Sequence, residues 1–245
     1  MENFLPVLTL HAKGVAAMGH AITLQAEDGH SFSAYEAGGA DLPYALVVVQ
    51  EIFGVNDHIR HVCDDFAARG FHVISPALFD RAQPGTELGY DKAGIDQGLA
   101  LRAQIPPEKT LLDLRASAAA LAHKRGSGRS KPGIIGYCWG GTLAWQAATH
   151  THDFAAAVCW YGGGIAASRN ETPHCPVEMH FGGQDSSIPH MDVTAIREAQ
   201  PGIEIFVYDE AGHGFGCAER SSFNAEAYLL AQQRSVAFLE AHLKG

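Results

Sequence analysis

Between Pro132 and His150 the chain reads PGIIGYCWGGTLAWQAATH, an apolar run that passes with no intervening loop into a segment of helical period. A strand that feeds straight into a helix reverses the chain abruptly, and the reversal needs small residues where two stretches of backbone cross. Gly136 and Gly140 flank Cys138 at that point, the spacing of a nucleophile elbow. This junction requires a sheet whose parallel strands are connected by helices.

The rest of the chain repeats the pattern. Apolar or alternating runs at His20–Glu27, Ser31–Ala37, Ala45–Gln50, Phe71–Ser75, Gly133–Tyr137, Phe154–Trp160, Pro176–Phe181 and Ile203–Tyr208 predict eight strands. Segments of helical period at Asp57–Arg69, Lys109–Lys124, Thr142–His150, Met191–Ala199 and Asn224–Leu243 fall between and after them. The first two strands flank EDGH, whose Asp-Gly pair marks a hairpin. The stretch Asp80–Gln104, rich in Gly, Pro and polar residues, breaks the alternation and is expected as a loop or short helices over one rim. With 245 residues, 47% of them hydrophobic, the chain can bury one large core, and no linker-like stretch divides it. The expected architecture is a single α/β domain over residues 1–245: a mostly parallel, twisted eight-stranded sheet with helices on both faces and an antiparallel N-terminal hairpin.

Charge and cysteine usage remove several classes of function. A formal charge of -10 without any basic run argues against a nucleic-acid or anionic-membrane partner. No stretch approaches the roughly 18 apolar residues of a membrane span, and MENFLPVLTLHAKG lacks a basic leader before its apolar part. The five cysteines are widely spaced and include no C-x-x-C pair, so neither a disulfide framework nor a zinc cluster is expected and a cytoplasmic location fits. His58 and His61 share a helix face, yet no nearby cysteine or carboxylate completes a metal set in sequence, and both read as surface residues. GGGIAA after Tyr161 loosely fits a dinucleotide fingerprint, but the polar run with Pro173 and Pro176 leaves no room for the helix such a site needs.

Cys138 is therefore the candidate nucleophile. At a helix N-terminus, free N–H groups and the helix dipole favour a thiolate or an oxyanion; Cys63, Cys159, Cys175 and Cys217 lack such a setting and read as packing residues. A nucleophile needs a base and the base an orienting acid, in the chain order nucleophile, acid, histidine. The strand PVEMHFGGQD leads to Asp185, and IEIFVYDEAGHGFG leads to His213, which lies between two glycines. Asp209, nearer a strand end, is the rival acid. The backbone N–H groups of Trp139 and Ile52 are the expected oxyanion hole. Glu51 lies beside that hole, where a carboxylate would disfavour a thiolate and keep the thiol protonated; a surface glutamate paired with an arginine such as Arg60 is the alternative.

Four of these segments, QEIFGVN, GYCWGG, GGQD and AGHGF, in this order, resemble the dienelactone hydrolase family, the carboxymethylenebutenolidases, over Ala45 to the C-terminus. The resemblance implies an α/β-hydrolase fold without a large cap, no cofactor, no metal, and a triad of Cys138, Asp185 and His213 with Glu51 helping to activate the thiol. It implies hydrolysis of a carboxylate-bearing unsaturated lactone through an acyl-enzyme on the cysteine. An enol leaves readily, so a thiolate suffices as nucleophile. Arg81 matches the family's carboxylate-binding arginine, with a solvated loop arginine as the alternative. The family's second arginine, four residues after the histidine, is Cys217 here, the residue after the histidine is Gly214, and Arg220 is placed to reach the same region. Tyr161 falls where the family lines its pocket with an aromatic, and core packing explains it equally well. These departures bear on the substrate more than on hydrolase chemistry. A broader ester or thioester hydrolase and a non-catalytic redox sensor or ligand-binding protein are the other readings. The expected partner is a small-molecule lactone or ester, and a monomer is favoured.

Overall fold

Residues 19–244 are described by a computed structural model; the N-terminal stretch read above as lacking a leader lies outside the described residues. β1 (His20–Gln25) and β2 (Ser31–Ala37) form an antiparallel hairpin. Its turn is closed by a bond from the Ala26 N–H to the His30 carbonyl. β2 then runs antiparallel to β4 (Phe71–Pro76), and β3 (Tyr44–Val49), β5 (Gly133–Tyr137), β6 (Ala156–Trp160), β7 (Val177–Gly182) and β8 (Glu204–Tyr208) continue the sheet in parallel. The strand order is β1-β2-β4-β3-β5-β6-β7-β8. Around the sheet lie α1 (Asp57–Ala68), α2 (Lys92–Arg102), α3 (Pro107–Arg125), α4 (Trp139–His150), α5 (His190–Ala199) and α6 (Ala225–His242). Among the described residues no helix is long and apolar enough to cross a membrane.

The burial pattern follows from position in the sheet. β4, β5, β6 and β7 are buried at every residue; β5 and β6 accordingly read as apolar runs, whereas β4 and β7 carry the buried polar residues His72, Ser75, Glu178 and His180. The edge strands β1 and β8 are half-exposed and carry polar residues. From β3 the chain crosses outward to β4, then returns past β3 to β5 and proceeds in the opposite direction. The C-terminal ends of β3 and β5 thus sit side by side at the topological switch point, where an α/β sheet opens a crevice for ligands.

One element differs from the sequence expectation and a second makes it specific. α4 begins at Trp139, not Thr142, with Cys138 as its N-cap residue. The rim segment holds α2, an 11-residue helix whose start is capped by Asp91 accepting from the Gly94 N–H. Gly94 and Gly98 within it weaken the helical signal in sequence. Gly98 has a packing reason, since a Cβ there would overlap the Ile52 carbonyl, so α2 can lie directly on the loop after β3.

Away from that crevice, a buried polar chain ties β6, β7, β8 and α6 together. The Trp160 indole N–H donates to Ser235 Oγ at 3.0 Å, and Ser235 Oγ lies 3.0 Å from His180 Nε2. The same nitrogen is 2.8 Å from Glu178, while His180 Nδ1 faces the Tyr208 hydroxyl at 2.9 Å. Burial pushes the His180 ring toward its neutral form, in which one nitrogen donates to Glu178 and the other accepts from Tyr208. Removing one member strands the others in a dry interior. Ser235→Ala is therefore expected to destabilise the fold by about 1–3 kcal/mol, read as a lower urea midpoint at unchanged slope; an unchanged midpoint would contradict the network.

Candidate active site

Cys138 leaves β5 with φ 56° and ψ -114°, and among the described residues only Tyr161 shares its positive φ without being glycine. Such a conformation costs on the order of 1–3 kcal/mol and persists only when its surroundings fix it. They do so from three sides. The Cys138 N–H donates to the Trp160 carbonyl at 3.0 Å, and its own carbonyl accepts from the Gly141 and Thr142 N–H groups at 3.0 and 3.2 Å. A Cβ on Gly136 would overlap the Gly140 carbonyl, and a Cβ on Gly140 would overlap the carbonyls of Val49 and Gln50. The reversal therefore closes only with glycine at both positions, and it lifts the sulfur out of the sheet at the switch point.

The other two members arrive from the ends of β7 and β8. His213 Nε2 lies 3.1 Å from Cys138 Sγ, and His213 Nδ1 lies 2.7 Å from Asp185 Oδ2. The second Asp185 oxygen accepts from the Ser187 N–H at 2.8 Å, and the His213 carbonyl accepts from the Ser222 hydroxyl at 2.7 Å. Each group is thus held by a further contact. Asp209 is exposed and meets Gln184 only through its carbonyl, so the structure brings Asp185 to the histidine and not its rival. Burial disfavours a charged His213 ring, but the hydrogen bonds to Asp185 and Cys138 outweigh it and push the ring up to about 10.

Glu51 follows β3 and is fully buried. Its Oε1 lies 3.3 Å from Arg220 Nη1. Arg60 is not its partner, being taken up by Asp57, Glu87 and the Val55 carbonyl. Burial holds the Glu51 carboxyl above the usual range, against the pull of Arg220, His213 and Tyr90. Among the hydrogen bonds of the described residues none joins Glu51 to Cys138; the carboxylate faces the arginine instead. Arg220 reaches it across Gly214, where φ is +75° and any side chain would overlap the guanidinium. Its guanidinium carbon also lies 5.8 Å from the ring centres of both Phe53 and Tyr90. The two departures noted at Gly214 and Arg220 thus belong together: the first makes room for the second.

A cavity of about 430 Å³ opens above the sulfur. Cys138, His213, Ile52 and Trp139 line its floor, Ile95 and Leu99 of α2 form an apolar wall, and Arg102 and Arg220 supply positive charge. Trp139 is the first residue of α4, so its N–H has no acceptor within the helix. Arg102 escaped sequence reasoning because the rim was expected only as a loop or short helices, with no helix face assigned. Ile95, Leu99 and Arg102 are spaced i, i+4 and i+7, which places them on one face once a helix is recognised there.

Three placements correct the sequence expectations. Arg81 does not line this cavity. Asp113 of α3 grips its guanidinium through two bonds of 2.7 Å, and Asp28 of the hairpin turn binds it at 3.0 Å. Two carboxylates already satisfy that fork, and leaving would strand the fully buried Asp113. Tyr161 is fully buried, behind His213 rather than on the cavity wall. Its ring packs edge-on to the imidazole at 5.2 Å between Trp160 and Phe215, so core packing is its role. His58, expected at the surface, is 7% exposed and packs against Tyr90 and Tyr137; His61 is exposed as expected.

Asp185→Asn removes the main partner that raises the imidazole. The His213 ring titration, followed by NMR, is expected to fall from about 10 toward the ordinary value of about 6.5. A titration unchanged by this substitution would contradict the assigned contact.

The sequence model of the dienelactone hydrolase family matches residues 22–243. A carboxymethylenebutenolidase of Pseudomonas putida is 34% identical over 225 residues, which cover 89% of this chain and 94% of that protein. A solved structure from Klebsiella pneumoniae, described as "Putative Dienelactone Hydrolase", superimposes with a TM-score of 0.78 at 31% identity, covering 91% of this chain and 98% of the other. A "Dienelactone Hydrolase-like Promiscuous Phospotriesterase" from metagenomic libraries shares the fold, with a TM-score of 0.75 at 19% identity, over 94% of this chain and 100% of that one. With an elbow, a rim cavity and a family match that runs through nearly all the described residues, the chain belongs to the dienelactone hydrolase family of lactone and ester hydrolases.

Proposed function

We propose that this hydrolase opens a small, carboxylate-bearing enol lactone to the corresponding acid through an acyl-enzyme on Cys138. The observation that carries the reading is the unbroken relay from Asp185 through His213 to the Cys138 sulfur, at 2.7 and 3.1 Å, on the floor of a cavity with two arginines in its lining. As Glu51 takes the thiol proton, the sulfur, paired with a His213 ring held protonated, attacks the lactone carbonyl carbon. The carbonyl electron pair moves onto oxygen, where the N–H groups of Ile52 and Trp139 receive it. Collapse of that intermediate breaks the ring C–O bond, and the departing enol oxygen takes the proton from His213. Water then gives a proton to His213 and attacks the thioester, and the sulfur leaves as the thiolate and recovers its proton from Glu51.

Charge favours an anionic substrate at this spot. The chain carries a formal charge of -10 and repels anions from most directions, whereas Arg102 and Arg220 face the cavity. A substrate carboxylate engaging Arg220 would compete with Glu51 for the guanidinium. Released from that pair, Glu51 becomes available to the thiol, which makes activation contingent on a charged substrate. A second reading, a broader esterase or thioesterase, is favoured by Arg81 being taken up elsewhere and by the apolar wall of Ile95 and Leu99.

Cys138→Ala is expected to lower kcat by on the order of 10⁴ on an enol lactone or activated ester; retained turnover would contradict the nucleophile. Arg102→Ala is expected to cost about tenfold or more in kcat/KM on a carboxylate-bearing lactone, with neutral aryl esters changed by less than about threefold. Equal effects on charged and neutral substrates would favour the broader esterase.

A further inference from the structure

Beside the elbow lies a cluster of donors that the proposed chemistry does not use as a set. Glu51 Oε2 and His58 Nε2 are both buried, and neither has a hydrogen-bond partner. Unpaired polar atoms of this kind are few in a native interior, and each calls for a cause: a bound water or ion, strain, or a catalytic role. Here the two are neighbours. Donor atoms of Glu51, His58 and Cys217 all lie within 4.8 Å of one another, and the three residues are 0%, 7% and 0% exposed. In sequence they are far apart: the end of β3 brings the carboxylate, the first turn of α1 the imidazole, and the loop before α6 the sulfur.

Water alone would satisfy the carboxylate and the imidazole, but the third donor is sulfur, and the mixed set has its own chemistry. Carboxylate oxygen, imidazole nitrogen and thiolate sulfur together suit a borderline divalent ion of the zinc class. Three protein ligands with one open position form a recognised coordination pattern for such ions. Bond lengths of about 2.0–2.3 Å would place tetrahedral donors roughly 3.3–3.6 Å apart, so the side chains need only small rotamer adjustments. Arg220 is held on Glu51 Oε1 and leaves Oε2 free.

We propose that Glu51, His58 and Cys217 form a binding site for a divalent ion of the zinc class, with one donor atom from each. The ion comes from solution with its charge unchanged. His58 enters neutral, its ring held down to about 4 chiefly by burial. Cys217, whose thiol burial pushes up to about 11, releases its proton to solvent as the metal–sulfur bond forms. Occupancy commits the Glu51 carboxylate to the ion. On the reading that Glu51 activates the thiol, metal binding therefore slows acylation, and a chelator restores it.

The test uses protein carrying Cys138→Ser, so that the sulfur beside His213 cannot supply a thiolate. Titration with Co²⁺ is expected to give a thiolate-to-metal charge-transfer absorption that saturates at one ion per chain. Adding Cys217→Ser is expected to abolish the band, and adding His58→Gln to weaken binding by more than about tenfold. No band, or an undiminished band after Cys217→Ser, overturns the site. Should either added substitution unfold the chain, anomalous diffraction at the zinc edge from zinc-soaked crystals of the Cys138→Ser protein decides: a peak among the three donors supports the site, and its absence there overturns it. Neither readout involves turnover. A failure of the hydrolase reading shows separately, as metal-free wild-type protein that does not cleave lactone or ester.

Discussion

The reversed backbone at Cys138 is the constraint on which the site depends. A side chain at positive φ is unfavourable, and the fold supplies the compensation by pressing Gly140 onto the carbonyls that end β3. That contact exists because β3 and β5 are neighbours, with Val49 opposite Gly136. One sheet ordering therefore does two things. It places the sulfur at the switch point, and it brings the loop of Glu51 and Ile52 alongside. β7 and β8, further along the same sheet, deliver Asp185 and His213 from loops with their own hydrogen bonds, so the relay is held by parts of the chain that do not bend together.

Electrostatics around this framework are arranged at short range. Glu51 is fully buried while Arg220 keeps partial exposure to the cavity, and taking the carboxylate out of water carries a desolvation cost that a single contact of 3.3 Å only partly offsets. Such a pair is poorly suited to holding a fold together and well suited to being exchanged. A ligand carboxylate competes for the arginine, and a metal ion competes for the glutamate. On the proposed reading both competitors act on the same carboxylate, and Glu51 is where charge in the cavity would be communicated to the thiol.

How much of this was legible in the sequence depends on the range of each interaction. The elbow, the chain order of Cys138, Asp185 and His213, and the hairpin at Asp28-Gly29 were readable because each rests on local turn chemistry or on the ends of apolar strands. The fate of Arg81 was not. Its partners Asp28 and Asp113 come from a hairpin turn and from the second turn of α3, and nothing near Arg81 in sequence announces them. α2 was hidden by Gly94 and Gly98, which lower helical propensity for the sake of close packing on the loop after β3; Arg102 was lost with it. His58 looked like a surface residue because Asp57, Arg60 and His61 surround it in sequence. Its burial is created by Tyr90 and Tyr137, residues more than thirty positions away in the chain.

The proposed chemistry requires that the Cys138 sulfur, relayed through His213, carry the acyl group. Rapid quenching of the protein with an activated ester during the first turnover, followed by mass measurement of the intact chain and its peptides, tests this most directly. One acyl group per chain, mapped to the peptide containing Cys138 and lost as product appears, is the predicted result. Turnover at the normal rate with that peptide unmodified at every quench time, or with the acyl group on another residue, would contradict it.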